Sequence, residues 1–489
     1  ARQDDSPILG AGGGTQVFNS YAQIQVLQIG VTEEKIESGL EAVLTEVRRA
    51  ALHGFTEPEW QRALSQSRSR WETIRAEADN TESGTHAGEI VRHFLTDEYM
   101  PGTELEYHVV QRLMNEILTV EDANRAVRNF LTPHNRVLTL TLPEQEGGVA
   151  PTEAALKSLM AQVDVSTPEP PETEAEAVPL ISGAPEPGSI VEESTVEALN
   201  LTTWTLSNGI QVHLKPTTLK EDEVLFRSYS WGGLSVLPDE DFVPGSTAVG
   251  LTSSSGLGAH DVDSLVRTLA GVTAGVSPSI SSLSEGLYGN SAPRDLETLF
   301  QLIHLRVKEP RFDQDAYERM QTHQKTQLEN RLVNPSARFS DMRMRLLLGD
   351  HLRVQAWTPD TLNLMDLTRS EAIYRERFAD MSDHNFFFVG AFDLDEMRPL
   401  VETWIATLPV QEREETWKDV GLRYSEGVHE EVIFAGEEPK ALVVIDYTGE
   451  FSFSRDTAHL MGAAAQALEQ ILLTRLREDL GGTYSVSVS

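Results

Sequence analysis

The stretch STPEPPETEAEAVPLISGAPEPGS, residues 166–189, constrains this chain more than any other. Six of its residues are proline, glutamate recurs between them, and no apolar period runs through it. Proline lacks the N–H that a helix interior or a central strand must donate, so the stretch is expected to be a stiff, extended linker. A chain interrupted in this way builds its cores on either side. With 489 residues, 40% hydrophobic and 24% charged, there is apolar surface for two to four domains.

Before the linker the pattern is helical. Ile36, Leu40, Val43, Leu44 and Val47 recur at helical spacing, which predicts a helix over 32–52 with Thr32 as N-cap and Gly54 just past the end. Thr56 and Glu59 have the capping-box spacing, so a second helix is expected to run to about Ala78. Further helices are expected over 88–94, 106–117 and 120–131, the last capped by Thr119, followed by a strand over 137–142.

After the linker, TWTLSNGIQVHLK holds two alternating runs joined by Asn208-Gly209, a strong hairpin signal. A strand over 224–229, helices over 261–271, 294–307 and 314–332, a strand over 385–389 and a helix over 395–408 give α+β order. From Val428 a second strand pair, VHEEVIF and ALVVIDYTG, is expected to lead into a long helix with Leu460, Met461, Ala464, Leu468, Ile471 and Leu472 on one face. The two ends of the chain also match. Ala1-Arg2-Gln3-Asp4 resembles Leu476-Arg477-Glu478-Asp479, and both are followed by a glycine turn and β-branched residues, which suggests equivalent points of a repeat.

Composition excludes several chemistries. The net charge of −36 repels phosphate backbones and anionic lipid, so neither nucleic acid nor a membrane surface is an expected partner. No run of eighteen apolar residues is present, so no membrane-spanning helix is expected, and the first ten residues have no basic-then-apolar leader pattern. Without cysteine there is no disulfide, thiol nucleophile or thiolate metal ligand. His86, Glu89 and His93 share one helical face, but the two histidines are about two turns, roughly 10 Å, apart, too far for one zinc ion. They read as a solvated face, and His260, His304 and His323 as surface or satisfied core residues.

Three stretches together, LTRLREDLGGTYSVSVS, the LSNGIQVHLKPT hairpin with the following SYSWGGLSVL, and VTEEKIESGLEAVLTEVRRAALHGFTEPEW, resemble the pitrilysin or insulinase-type zinc metallopeptidases, in particular the bacterial two-half enzymes. The resemblance covers nearly the whole chain. It implies repeated α+β domains with mixed or antiparallel sheets packed against helices, two halves joined by a linker in a clam-shell around a peptide chamber. By it, residues 1–145 are the C-terminal part of a second domain, 146–199 a Pro/Glu-rich linker, 200–415 a third, inactive homologous domain, and 416–489 the N-terminal part of a fourth, truncated.

The family's zinc site is an inverted His-x-x-Glu-His on a helix. That motif is absent: the matching place reads DFVPGSTAVGLTSSSGLGAHD, without His or Glu from Phe242 to Ala259. The resemblance therefore implies no catalytic or metal residue in this segment, with zinc expected in a domain preceding Ala1. It implies substrate binding by Arg477 and Tyr484, an Arg and a Tyr seven residues apart that hydrogen-bond peptide carbonyls beside the scissile bond. From the residues alone another reading stands beside it, with Tyr484 in a core at the parity of Val486 and Val488 and Arg477 capping the helix end. At the other end, Leu9 stands seven after Arg2, so no such pair is expected there. Implied partners are peptides or small proteins and a catalytic half, in the same protein or a separate subunit, and the implied compartment is the periplasm. The alternative is an inactive homologue serving as scaffold or peptide-binding partner.

Overall fold

The computed structural model describes residues 7–19, 22–130, 134–142, 150–171, 178–436 and 441–489. It divides into two compact units, Ala1–Val333 with His351–Gly421 and Asn334–Asp350 with Leu422–Ser489. It is an α+β structure, as expected, with a seven-stranded mixed sheet.

The first unit opens with an antiparallel hairpin, β1 (Ile8–Asn19) and β2 (Ala22–Val31). Helices α1 (Ile36–His53), α2 (Glu57–Ala76), α3 (Ser83–Thr96), α4 (Thr103–Arg112), α5 (Val120–Phe130) and α6 (Glu153–Val165) follow. Thr32 makes no side-chain cap, because a 3-10 turn over Glu33–Lys35 precedes α1, but the other two signals hold. Gly54 takes φ +75° and its N–H reaches the Ala50 carbonyl at 2.9 Å, closing α1. The Thr56 hydroxyl accepts from the Glu59 N–H at 3.4 Å while Glu59 accepts from the Thr56 N–H at 2.7 Å, the reciprocal box that starts α2. Asn124 on α5 accepts from the Phe55 N–H at 2.6 Å and ties α5 to the turn between α1 and α2.

The expected strand over 137–142 does not form, and Val137 and Leu138 stand exposed. A strand requires a neighbouring ladder, and among the described residues none lies beside it. Within 146–199 the structure forms α6 and, from residue 190, a strand, and irregular chain narrows to 166–189, of which 172–177 lie outside the described residues. This stretch is held at both ends. Arg48, Arg49 and His53 on α1 donate to the carbonyls of Ser166, Glu169 and Pro168 at 3.2, 2.8 and 2.8 Å. His260 donates to the Pro179 carbonyl at 3.1 Å, and Leu180 and Ile181 pack on the core.

The sheet strands are β3 (Ile190–Val196), β4 (Leu201–Leu206), β5 (Gln211–Pro216), β6 (Val224–Trp231), β7 (Ala274–Ile280), β8 (Ser284–Ser291) and β9 (Asn385–Gly390), in the order β3-β4-β5-β9-β6-β8-β7. Among the described residues, only β5 and β9 pair in parallel. The Asn208-Gly209 turn joins β4 to β5 as expected, with Gly209 at φ +85° and Asn208 donating to the carbonyls of Ile405 and Leu408 at 3.0 and 3.3 Å.

Side chains alternate in and out along β4, β6 and β9, so the sheet has one buried and one open face. The helices of this region are α7 (Phe242–Ser255), α8 (Val262–Thr268), α9 (Leu296–Lys308), α10 (Gln314–Val333), α12 (Pro359–Leu362), α13 (Leu367–Arg377) and α14 (Leu394–Leu400), while α11 (Pro335–Leu348) belongs to the second unit. On the buried face, Phe300 of α9 stacks on Phe388 at 5.0 Å and Phe388 on Phe226 at 4.9 Å, among Trp204, Leu214, Tyr374 and Trp404.

The second unit contains α11 and α15 (Arg455–Leu473). Arg343 on α11 makes a two-pronged pair with Asp446, its Nε at 2.7 Å from Oδ2. The strand pair expected from Val428 does not form: 428–436 and 441–453 carry no ladder, and Val428, Phe434 and Val443 are exposed. Two strands without a third or a packed face are marginal, and β-propensity alone does not supply the partner.

Candidate functional site

The turn after α15 carries Arg477 and Tyr484. Ser454 and Thr457 form a capping box at the start of α15, and its last turn, Thr474–Asp479, is wider than an ordinary α-turn. Gly481 takes φ +59°, the left-handed conformation glycine adopts at least cost. The N–H groups of Gly481 and Gly482 then reach the carbonyls of Arg477 and Leu476 at 3.1 and 2.9 Å, so the chain reverses with the terminal carbonyls satisfied.

This reversal brings the two residues together. The Arg477 guanidinium carbon lies over the Tyr484 ring, 5.6 Å from its centroid, and Nε is 3.5 Å from a Glu478 carboxylate oxygen. No strand forms at Tyr484 among the described residues, and its side chain is 89% exposed. Arg477 turns its charge to a ring and a carboxylate rather than to the helix carbonyls. A half-exposed guanidinium beside an exposed phenol offers two donors on one rim. At the other end of the chain, Leu9 lies on β1, and Arg2 is outside the described residues.

The remaining candidates stay apart. On α3, His86 is 3.9 Å from Glu89, but the His93 Nδ1 donates to the Glu98 carbonyl at 2.6 Å. Among the described residues, no three His, Asp or Glu side chains converge as a metal cluster would. The stretch expected to match the zinc position folds as α7, which carries no imidazole or carboxylate. Its inner side is filled by Val243, Ala248 and Leu251, and Thr247 shares its hydroxyl with the Val243 and Pro244 carbonyls and with Ser370. Those donors and that packing do not fit a zinc ion. His260 bonds Ser264 at 2.9 Å and Pro179, and His304 bonds the Trp404 carbonyl at 3.1 Å, so both are satisfied structural residues.

One group of charges lies beyond sequence reasoning. Arg377 on α13 is only 4% exposed and pairs with both Glu285, fully buried, and Glu415. Glu285 also accepts the Gly233 N–H. Burial pushes the Glu285 carboxyl up, against the opposing pull of Arg377. Burial alone raises the Asp380 carboxyl too, but hydrogen bonds from Ser382, Gln411 and Arg413 bring it down to about 2. His384 is sealed among Phe378 and Phe386, and burial, aided by the Arg413 and Arg377 charges, drives it down to about 3. These residues pin the segment 411–415 and the Gly232-Gly233 turn. Closed to solvent, they form a structural lock. Glu285 and Arg377 lie 92 positions apart, so spacing carried no signal of them.

No family model matches the chain. It is similar to "Zinc protease PQQL-like" of Arabidopsis thaliana, 23% identical over 366 residues, covering 74% of this chain and 36% of that protein. It is also similar to "Probable zinc protease PqqL" of Haemophilus influenzae, 20% identical over 440 residues, covering 89% of this chain and 46% of that protein. The fold matches the crystal structure of the periplasmic protease PqqL from Escherichia coli with a TM-score of 0.56 at 18% identity, over 98% of this chain and 53% of that one. The chain thus spans about half, or less, of the length of these relatives. No described helix is long and apolar enough to cross a membrane. In sequence and in fold, the chain is thus similar to zinc proteases of the PqqL type, the likeness expected of a pitrilysin/insulinase-type peptidase.

Proposed function

We propose that this chain is the non-catalytic portion of a zinc endopeptidase that cuts peptides or small proteins inside a closed chamber. The observation that carries the reading is the Arg477–Tyr484 pair, exposed together at one turn. A peptide carbonyl approaching that rim meets a guanidinium and a phenolic O–H, and both bond more strongly as its oxygen gains negative charge. Two further observations support the division of labour. Relatives about twice as long or longer are named zinc proteases, and α7 has no metal ligands of its own.

In this reading residues 1–145 close a second domain, 146–199 connect the halves, 200–415 are a third domain that keeps the fold without the chemistry, and 416–489 open a fourth. The partner is the catalytic half, which holds the zinc, and the compartment is the periplasm, as for the Escherichia coli relative.

The test uses the full-length protein with zinc content confirmed. Tyr484→Phe keeps the ring under Arg477 and removes one donor, and kcat/KM is expected to fall on the order of 10²-fold. Arg477→Ala is expected to be at least as severe. Wild-type kcat/KM in both variants would remove the substrate role, and a full-length protein without zinc or hydrolysis would overturn the peptidase reading in favour of a scaffold.

A further inference from the structure

The open face of the seven-stranded sheet has a composition unlike the rest of the chain. Asp and Glu number 76 of 489 residues, yet on the open side of β5, β9, β6, β8 and β7 there is none. The charges on that side of these five strands are Lys215 and Arg227, with His213 between the edge and the centre, and the nearest carboxylate along the sheet is Glu192 on the edge strand β3, opposite Thr205. Glu285 is on β8, but it faces inward to Arg377.

Strand register puts these groups in one line. Thr203 lies opposite His213, His213 opposite Phe387, Phe387 opposite Arg227, Arg227 opposite Tyr288, and Tyr288 opposite Ser277. Neighbouring strands are about 4.8 Å apart, so the row crosses five strand spacings. The rings are held in place. His213 bonds Thr203 at 3.0 Å and Asn385 at 3.1 Å, and it stacks on Phe387 with centroids 4.8 Å apart. Tyr229 and Trp231 meet edge to face at 5.1 Å on the same side. Phe387 is 41% and Tyr288 53% exposed, and Arg227 has no carboxylate partner among the described residues. Pre-ordered aromatics around an uncompensated cation are the composition of a recognition surface.

We propose that this face binds a polypeptide segment rich in acidic and aromatic side chains. Charge decides the occupant. In a chain of net charge −36, most of the surface repels acidic peptides, and this face is where the repulsion is lifted and a cation is free. Two cations are too few to track a nucleic-acid backbone, whose affinity rests on many phosphate contacts. The proposal does not rest on the peptidase reading, because binding is measured without cleavage.

The experiment is calorimetric titration of the full-length protein, in chelator, with a synthetic peptide alternating glutamate and tyrosine, its lysine-for-glutamate counterpart, and oligothymidylate. The acidic peptide is expected to bind, more weakly as salt rises, and the other two are not. Arg227→Glu and Phe387→Ala are each expected to weaken binding about tenfold, the first by turning attraction into repulsion and the second by removing the stacking surface. Arg227→Lys is expected to stay within about twofold, which separates the charge from the fold. Equal affinity in wild type, Arg227→Glu and Phe387→Ala, equal binding of the lysine peptide, or preference for oligothymidylate would each overturn the proposal.

Discussion

Replacing Arg377 by methionine tests whether the buried lock stabilises the sheet domain. Arg377 is 4% exposed and neutralises Glu285, whose side chain has no exposure, as well as the half-buried Glu415. Methionine keeps most of the volume and removes the charge, which leaves the Glu285 carboxylate with the Gly233 N–H as its remaining donor among the described residues. Breaking a buried pair on one side costs about 3–5 kcal/mol, mostly from the orphaned charge. The pH dependence follows from Glu285. Its carboxyl already lies above its ordinary value because of burial, and Arg377 is the opposing pull. Without Arg377 it climbs further, so Glu285 folds protonated at low pH and must bind a proton, or bury a charge, as pH rises. The contribution of a group with a raised folded pKa is present below its unfolded value and lost as pH passes through the folded one, so the deficit grows from pH 5 to pH 8 by at most about 1.4 kcal/mol per unit. Urea unfolding followed by tryptophan fluorescence reads this, since Trp204 is buried in the same core. Glu285→Gln with Arg377→Met is expected to recover most of the loss at pH 8, because glutamine still accepts the Gly233 N–H. A deficit that does not change with pH, or a double variant worse than Arg377→Met alone, would refute the reasoning.

Two further outcomes follow from the same region. His384, depressed to about 3 from an ordinary 6.5, folds neutral, so its contribution is full above about pH 6.5 and is lost as pH falls toward 3; between pH 6.5 and 5 the wild type is expected to lose about 2 kcal/mol in urea melts, and His384→Phe to lose much less. Asp380, at about 2, does not titrate in that window, so an unchanged acid slope in His384→Phe would discard the assignment. Gly233→Ala is expected to cost about 3 kcal/mol or more, because φ is +56° and the added carbon falls 2.3 Å from the Ser281 carbonyl oxygen, whereas Gly209→Ala, with open space around it, costs about 1 kcal/mol; equal melting temperatures would contradict this.

Local chemistry was legible in the sequence and long-range partnership was not. Thr56 with Glu59, Gly54 and Asn208-Gly209 each complete their structure within a few residues, so a short window contains the whole cause. The strands expected over 137–142 and from Val428 have the right side chains, but a strand is made by its neighbour, and propensity does not name one. The helix α6 is masked in the sequence by the proline and glutamate on either side of it, although Thr152 caps it, its hydroxyl accepting from the Ala155 N–H at 3.1 Å. For the site, the spacing of Arg477 and Tyr484 was visible. Their contact depends on the left-handed Gly481, which sequence permits without requiring.

The packing of α7 bears on whether this helix could hold a metal. A metal-binding helix must hold imidazole and carboxylate groups inside a packed wall, each oriented by a further hydrogen bond. In α7 no imidazole or carboxylate is present, and small residues fill the space. A Cβ on Gly245 would meet the Leu237 side chain at 2.5 Å, and the Ser370 hydroxyl donates to the Pro244 carbonyl at 2.9 Å, closing the helix onto α13. Arg369 on α13 pairs with Asp241 just before α7 and holds that carboxylate below its usual range, so the nearest acid is already committed. Introducing a ligand set would therefore require opening a core that gains its stability from being closed. Placing histidine at Gly245 is expected to cost several kcal/mol of overpacking without yielding stoichiometric zinc, as melting temperature and metal content would show; a stable variant that binds one zinc ion would mean that α7 is looser than its packing indicates.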